Sequence, residues 1–202
     1  NEISPLWQRL EREREIMNSD KYKQLIKHRN KCPETHNPEY TLINHCKIDL
    51  IFEAAKKVNF EYFCWIDFGF FHSPESYTGK LLNINKLDLN TINYSLINLI
   101  DEMDKNIIYT LMYALEKIGG FFFFGRRDKI VEYRKLYHQT HKSLQDINVV
   151  DDDQCLALQC YFKNPSLFTL HMNKKSEKHI DTNQGVVKVP VGAYHSVFKD
   201  FE

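Results

Sequence analysis

The 202-residue sequence has no net charge to offer: 27 lysines and arginines balance 27 aspartates and glutamates. That balance excludes a broad electrostatic field for nucleic acid or an anionic membrane, so no nucleic-acid partner is expected. Also lacking is any apolar run near the ~20 residues that a membrane-spanning helix needs, and the start has no signal-peptide pattern. No transmembrane segment is expected. None of the five cysteines forms a C-x-x-C pair, which argues against a zinc site. Cysteines used as small core residues fit a reducing compartment, so a cytoplasmic location is the expectation. Without a Pro/Gly/Ser-rich linker or a break in composition, residues 1–202 read as a single domain. The first residue is Asn1 rather than methionine, and the expectation is a fragment of a longer chain.

What is present is organised around Tyr62-Phe63-Cys64-Trp65-Ile66-Asp67-Phe68-Gly69, an apolar and aromatic run that stops at one carboxylate followed by glycine. Five consecutive apolar residues without alternation predict a strand covered on both faces, hence central in a parallel sheet flanked by helices. In such sheets ligands bind outside the carboxyl ends of the strands, which is where Asp67 falls. Phe70, Phe71 and His72 would continue an aromatic lip.

Ser4-Pro5 and Ser19-Asp20 read as helix starts. Asn37-Pro38 repeats the signal, and Leu42, Ile43, Cys46, Leu50, Ala54 and Val58 predict one continuous helix. His45 and Lys47 are expected on its polar edge. Residues 94–99 are a second strand candidate, and 107–118 fit either period. Asp101, Glu102 and Asp104 read as a solvated acidic turn.

Gly119-Gly120-Phe121-Phe122-Phe123-Phe124-Gly125-Arg126-Arg127 has phosphate-loop spacing without the Lys-Ser/Thr that such a loop requires. Four phenylalanines between glycines instead predict a core strand. Gly119 and Gly120 would leave room for a ligand, and Arg126 and Arg127 could pair with phosphate or with acidic side chains. A long amphipathic helix follows, on which His138 and His141 are expected to be solvated because no acidic residue is close by in sequence. In Val149-Val150-Asp151-Asp152-Asp153-Gln154, Asp151 can cap the next helix with Gln154 closing a capping box. Capping accounts for one carboxylate, which leaves Asp152 and Asp153 as functional candidates. Residues 167–171 predict a late strand ending at His171, and 173–185 a polar loop.

Taken together, Trp65-Ile66-Asp67-Phe68-Gly69, Gly119-Gly120-Phe121-Phe122 and Asp151-Asp152-Asp153-Gln154, in this order, resemble the HtrL/YibB-like family, grouped with glycosyltransferases of GT-A type. The resemblance implies an α/β, Rossmann-like domain with a mixed, mostly parallel sheet between helices. It also implies a nucleotide-diphosphate sugar donor, probed first as UDP-linked, a glycan or glycoprotein acceptor, and Mn²⁺ or Mg²⁺ bridging the diphosphate. Asp67 would hold the metal as the first aspartate of a D-x-D element. Gly69 departs from that element, so His171, then His195, would be the further metal ligand. Asp152 and Asp153 would be catalytic, and Gly119, Gly120, Arg126, Arg127 and Gln154 would contact substrate. A GT-A fold opens with a nucleotide-binding strand that this chain does not show, so that strand is expected upstream. The rivals are a metal-dependent phosphohydrolase and a non-catalytic carbohydrate-binding or assembly module.

Overall fold

The computed structural model describes residues 4–27, 32–68, 85, 87–172, and the backbone of 177–182 and 185–190. Gly69, Phe70, Phe71, His72 and His195 lie outside the described residues. The N-terminal helices start where side-chain oxygens can cap them. Ser4 accepts from Leu6 N at the head of a 3-10 turn leading into α1 (Leu10–Asn18). Ser19 accepts from Tyr22 N at the head of α2 (Asp20–Leu25), and Asn37 from Tyr40 N at the head of α3 (Pro38–His45).

The expected continuous helix breaks at Cys46, and α4 (Lys47–Lys57) follows. Residues two apart lie on nearly opposite sides of one helix. Residues 45–49 are nevertheless all buried, so this stretch is covered on every side, and His45 and Lys47 are 1% and 9% exposed.

The sheet is mixed, as expected, with strand order β1 (Tyr62–Ile66), β3 (Ile118–Arg126), β2 (Ile92–Leu96), β4 (Phe168–Met172). Its pairs are mainly antiparallel rather than mainly parallel: β3 runs antiparallel to both neighbours, and β2 with β4 is the parallel pair. The expectation that β1 is central is corrected. Among the described residues it is an edge strand, and β3, buried along nearly its whole length, is the centre. The apolar run misled because Phe63 and Trp65 pack on the main core while Cys64 and Ile66 are exposed, so the alternation is one of environment and not of residue type.

On the main-core face, Phe123 stacks on Tyr94 at 5.4 Å and meets Tyr133 edge-on, with α6 (Arg127–Asp146) and α7 (Asp153–Lys163) packed against this side. Phe122 and Phe124 form a second cluster with Leu87, and Tyr62 stacks on Phe124. Residues 107–118 resolve into α5 (Ile107–Tyr113), ended by Ala114 in the left-handed conformation, before β3 begins. The expected polar loop over 173–185 instead contains β5 (Glu177–Thr182), paired as a hairpin with β6 (Gly185–Pro190). No described helix is long and apolar enough to cross a membrane.

Between β2 and β3 the register slips: Tyr94 faces Phe123, but Leu96 faces Ile118. The extra β3 residues form a bulge around Gly119 and Gly120, a device that re-aims backbone and side chains.

If β3 is the buried centre and β1 the edge, Phe123→Ala should cost about 3–5 kcal/mol and Ile66→Ala under about 1 kcal/mol in urea unfolding. Comparable losses would return β1 to the interior.

Candidate functional site

The bulge presents the carbonyl of Gly120 to Lys47, the first residue of α4. Lys47 shares a buried stripe with Ile51 and Ala55, four and eight residues on, so its side chain runs inward. Nζ donates to Gly120 O at 3.1 Å and to Asp67 Oδ2 at 3.0 Å, and pairs with Asp153 Oδ2 at 2.9 Å. These three acceptors fill the donor capacity of an ammonium. Burial pulls the Lys47 pKa down, but Asp153 and Asp67 outweigh it and the net direction is up. Lys47 is therefore held as a cation.

The two carboxylates reach it by different routes. Asp67 extends the β1 ladder by donating its N–H to Phe121 O, and its Oδ1 accepts from Trp65 Nε1 at 2.7 Å. Asp153 opens α7, where the helix N-terminus favours a negative charge. Burial pushes its carboxyl up to about 6, against the pull of Lys47 and with a further push from Asp67. Gly120 is required at this approach, since a Cβ there would lie 2.5 Å from Asp153 Oδ2. The Asp153 side chain is 12% exposed and that of Asp67 35%, so both carboxylates keep some access to solvent.

The loop before α7 is pinned from the N-terminal helices. Tyr22 Oη donates to Val150 O at 2.8 Å, and His45 Nε2 donates to Asp151 O at 3.0 Å. Because that nitrogen is the donor, His45 Nδ1 accepts from Tyr137 Oη at 2.7 Å. Burial, reinforced by His141, pushes His45 down to about 3 and keeps it neutral.

Several expectations need correction. The cap of α7 is Asp152, not Asp151: its Oδ1 accepts from the N–H groups of Gln154 and Cys155. The structural role expected of Asp151 thus falls on Asp152. Burial, with Asp151 and Asp153 beside it, pushes Asp152 well above the carboxylate range. Gln154 sits in the first turn of α7, and Gly119 lies under the ring of Phe121. Arg126 pairs with Asp128, and Arg127 donates to the carbonyls of Val58 and Phe60 beyond the end of α4, so neither joins the Lys47 cluster. His171 is in register with Ser95 and donates to Asn93 Oδ1, both on the sheet face opposite Tyr94, whereas Asp67 continues the Phe63 and Trp65 face. His171 therefore does not meet Asp67.

The implied Mn²⁺ or Mg²⁺ does not fit these residues as they stand. The cation seat between the carboxylates holds Lys47, Asp67 Oδ1 is committed to Trp65, and the expected histidine is across the sheet.

The supposedly solvated histidines are also corrected. His138 bonds Asp49, which is fully buried and also receives Ser4 and Arg134. His141 meets Glu13, also buried, at 2.6 Å. Asp104 of the acidic turn is buried and pairs with Lys117 at 2.9 Å. Ligand-type atoms of Glu13, His45 and His141 lie within 4.8 Å of one another. His45 has both nitrogens committed, however, and Glu13 and His141 are bonded to each other, which makes this a hydrogen-bonded core network. The one signal for Lys47 in the sequence was its i, i+4, i+8 spacing with Ile51 and Ala55; Glu13 had a similar one in its spacing with Leu10 and Met17, and nothing local marked Asp49.

The fold and site thus define an α/β domain whose paired carboxylates, one at a strand end and one at a helix start, are clamped by a buried lysine. The chain belongs to the HtrL/YibB family: the family described as "Bacterial protein of unknown function (HtrL_YibB)" matches residues 5–184. It is 32% identical over 153 residues to Protein HtrL of Escherichia coli (strain K12), covering 70% of this chain and 51% of that protein. The chain therefore spans about half the length of this curated relative. No solved structure matches it.

Glu13 gives this network a pH signature. Burial raises its carboxyl from 4.5 to about 7, so its favourable contribution is complete below 4.5 and is lost as pH rises through 7. Glu13→Gln removes the titration and keeps the shape. The stability of wild type relative to Glu13→Gln should therefore fall between pH 4.5 and 7.5, by roughly 3 kcal/mol at most. Paired urea titrations at the two pH values check this, and a constant difference would mean that Glu13 does not titrate in this range.

Proposed function

We propose that the protein is a glycosyltransferase, moving a sugar from a nucleotide-diphosphate sugar, UDP-linked in the first instance, to a hydroxyl of a glycan or glycoprotein. The observation that carries this reading is Asp153, a carboxylate raised to about 6 at the start of α7, beside Asp67 at the carboxyl end of β1. A base with a pKa near the working pH is mostly ionised yet still able to take a proton. In the reaction the acceptor oxygen attacks the anomeric carbon, the bond from that carbon to the phosphate oxygen breaks, and the nucleoside diphosphate leaves with the electron pair. The hydroxyl proton passes to Asp153. Lys47 holds the carboxylate in place, and Asp67 offers a second negative group to the electron-poor sugar. The resemblance of the three quoted motifs to the HtrL/YibB-like family, grouped with glycosyltransferases of GT-A type, supports the same reading.

A screen of nucleotide sugars with glycan acceptors, scored by product mass, tests it. Asp153→Asn should lower turnover by about 10²–10⁴-fold with donor binding retained. The wild-type rate should fall as pH drops below about 6, where Asp153 takes up its proton. Phosphate release without sugar transfer would favour a phosphohydrolase. Donor or glycan binding without turnover would leave a binding module.

A further inference from the structure

We infer that Lys47 is the resident cation of the Asp67 and Asp153 pair, so that the free protein has no divalent-metal site there, and that removing the ammonium would create one. Two carboxylate oxygens and a backbone carbonyl converge on a single point, at 3.0, 2.9 and 3.1 Å. Carboxylate and carbonyl oxygens are the donor set that hard divalent cations select. In this protein the cation at that point is covalently tethered. It is carried by the first residue of α4, on the buried stripe with Ile51 and Ala55, and its charge balances carboxylates that burial would otherwise force to neutralise.

A metal entering this seat would have to expel an ammonium that already satisfies three acceptors, and it would leave that ammonium buried without a partner. Both effects oppose binding. Replacing Lys47 by an uncharged side chain reverses the balance. Two carboxylates would then face each other across a vacated seat with the Gly120 carbonyl beside them, and a divalent cation would relieve their repulsion. The 35% exposure of Asp67 provides a path for the ion and room for the waters that Mn²⁺ retains.

This inference concerns the free protein and does not depend on sugar transfer being its reaction. The test uses MnCl₂ alone, with no nucleotide, on the full chain as wild type, Asp67→Asn, Lys47→Gln and Lys47→Gln/Asp67→Asn. Bound Mn²⁺ is read by loss of the free-ion EPR signal, and stability by thermal unfolding. The expected result is no Mn²⁺ binding by wild type that Asp67→Asn removes. Lys47→Gln should bind one equivalent and gain about 5 °C in Tm at saturation, and the double variant should lose both effects. Stoichiometric binding by wild type that disappears in Asp67→Asn would overturn the inference. A folded Lys47→Gln that gains no Mn²⁺ affinity would do the same. If Lys47→Gln folds only when Mn²⁺ is present, the inference stands, because the ion has then replaced the ammonium. If it folds in neither condition, the wild-type and Asp67→Asn pair decides the question alone.

Discussion

One buried ammonium sets the arrangement of the candidate site. Lys47 joins three segments distant in sequence: the start of α4 to which it belongs, the junction of β1 with the β3 bulge, and the start of α7. Each of these has a local reason to be where it is. Lys47 heads the buried stripe of α4, the bulge frees the Gly120 carbonyl, and Asp152 caps α7 so that Asp153 stands at its first turn. Without the ammonium, two partly desolvated carboxylates would be left in mutual repulsion. The lysine allows them to coexist as charges.

The scaffold around this contact is unusually polar for a core. Glu13 with His141, Asp49 with Ser4, Arg134 and His138, and Asp104 with Lys117 are all buried or partly buried pairings between distant segments. Such networks specify geometry more than they add stability, because desolvation offsets much of the attraction. Their consequence here is positional. Tyr22 and His45 hold the Val150 and Asp151 carbonyls, which fixes the loop from which Asp152 and Asp153 project. The N-terminal helices thus shape a site formed some hundred residues later in the chain.

Legibility in the sequence followed from how local each cause was. The caps at Ser4, Ser19 and Asn37, the strand after Gly119, the long helix after Arg127 and the late strand ending near His171 depend on near neighbours, and they are found where periodicity puts them. The α/β class followed from these elements. Sheet order did not, because an apolar run such as Tyr62–Ile66 reads the same whether both faces are buried or one lies at an edge. Asp67 and Asp153 were visible as candidates, since each is a carboxylate at the boundary of an apolar segment. The cation between them was not, because a lysine on a helix is ordinarily solvated and its partners lie 20 and 106 positions away. Among three adjacent acids the sequence also did not single out the cap, which falls on Asp152 and not on Asp151.

The central claim, that Lys47 and the two carboxylates form one interdependent charge cluster, is tested most directly by a thermodynamic cycle. Unfolding free energies would be measured for Lys47→Met, for Asp67→Asn/Asp153→Asn, and for the triple variant. Interdependence predicts that Lys47→Met alone costs about 3–5 kcal/mol, because it leaves buried carboxylates unpaired, and that neutralising both carboxylates in the same chain restores most of that loss. Strict additivity, with the triple variant losing the sum of the other two, would contradict the account.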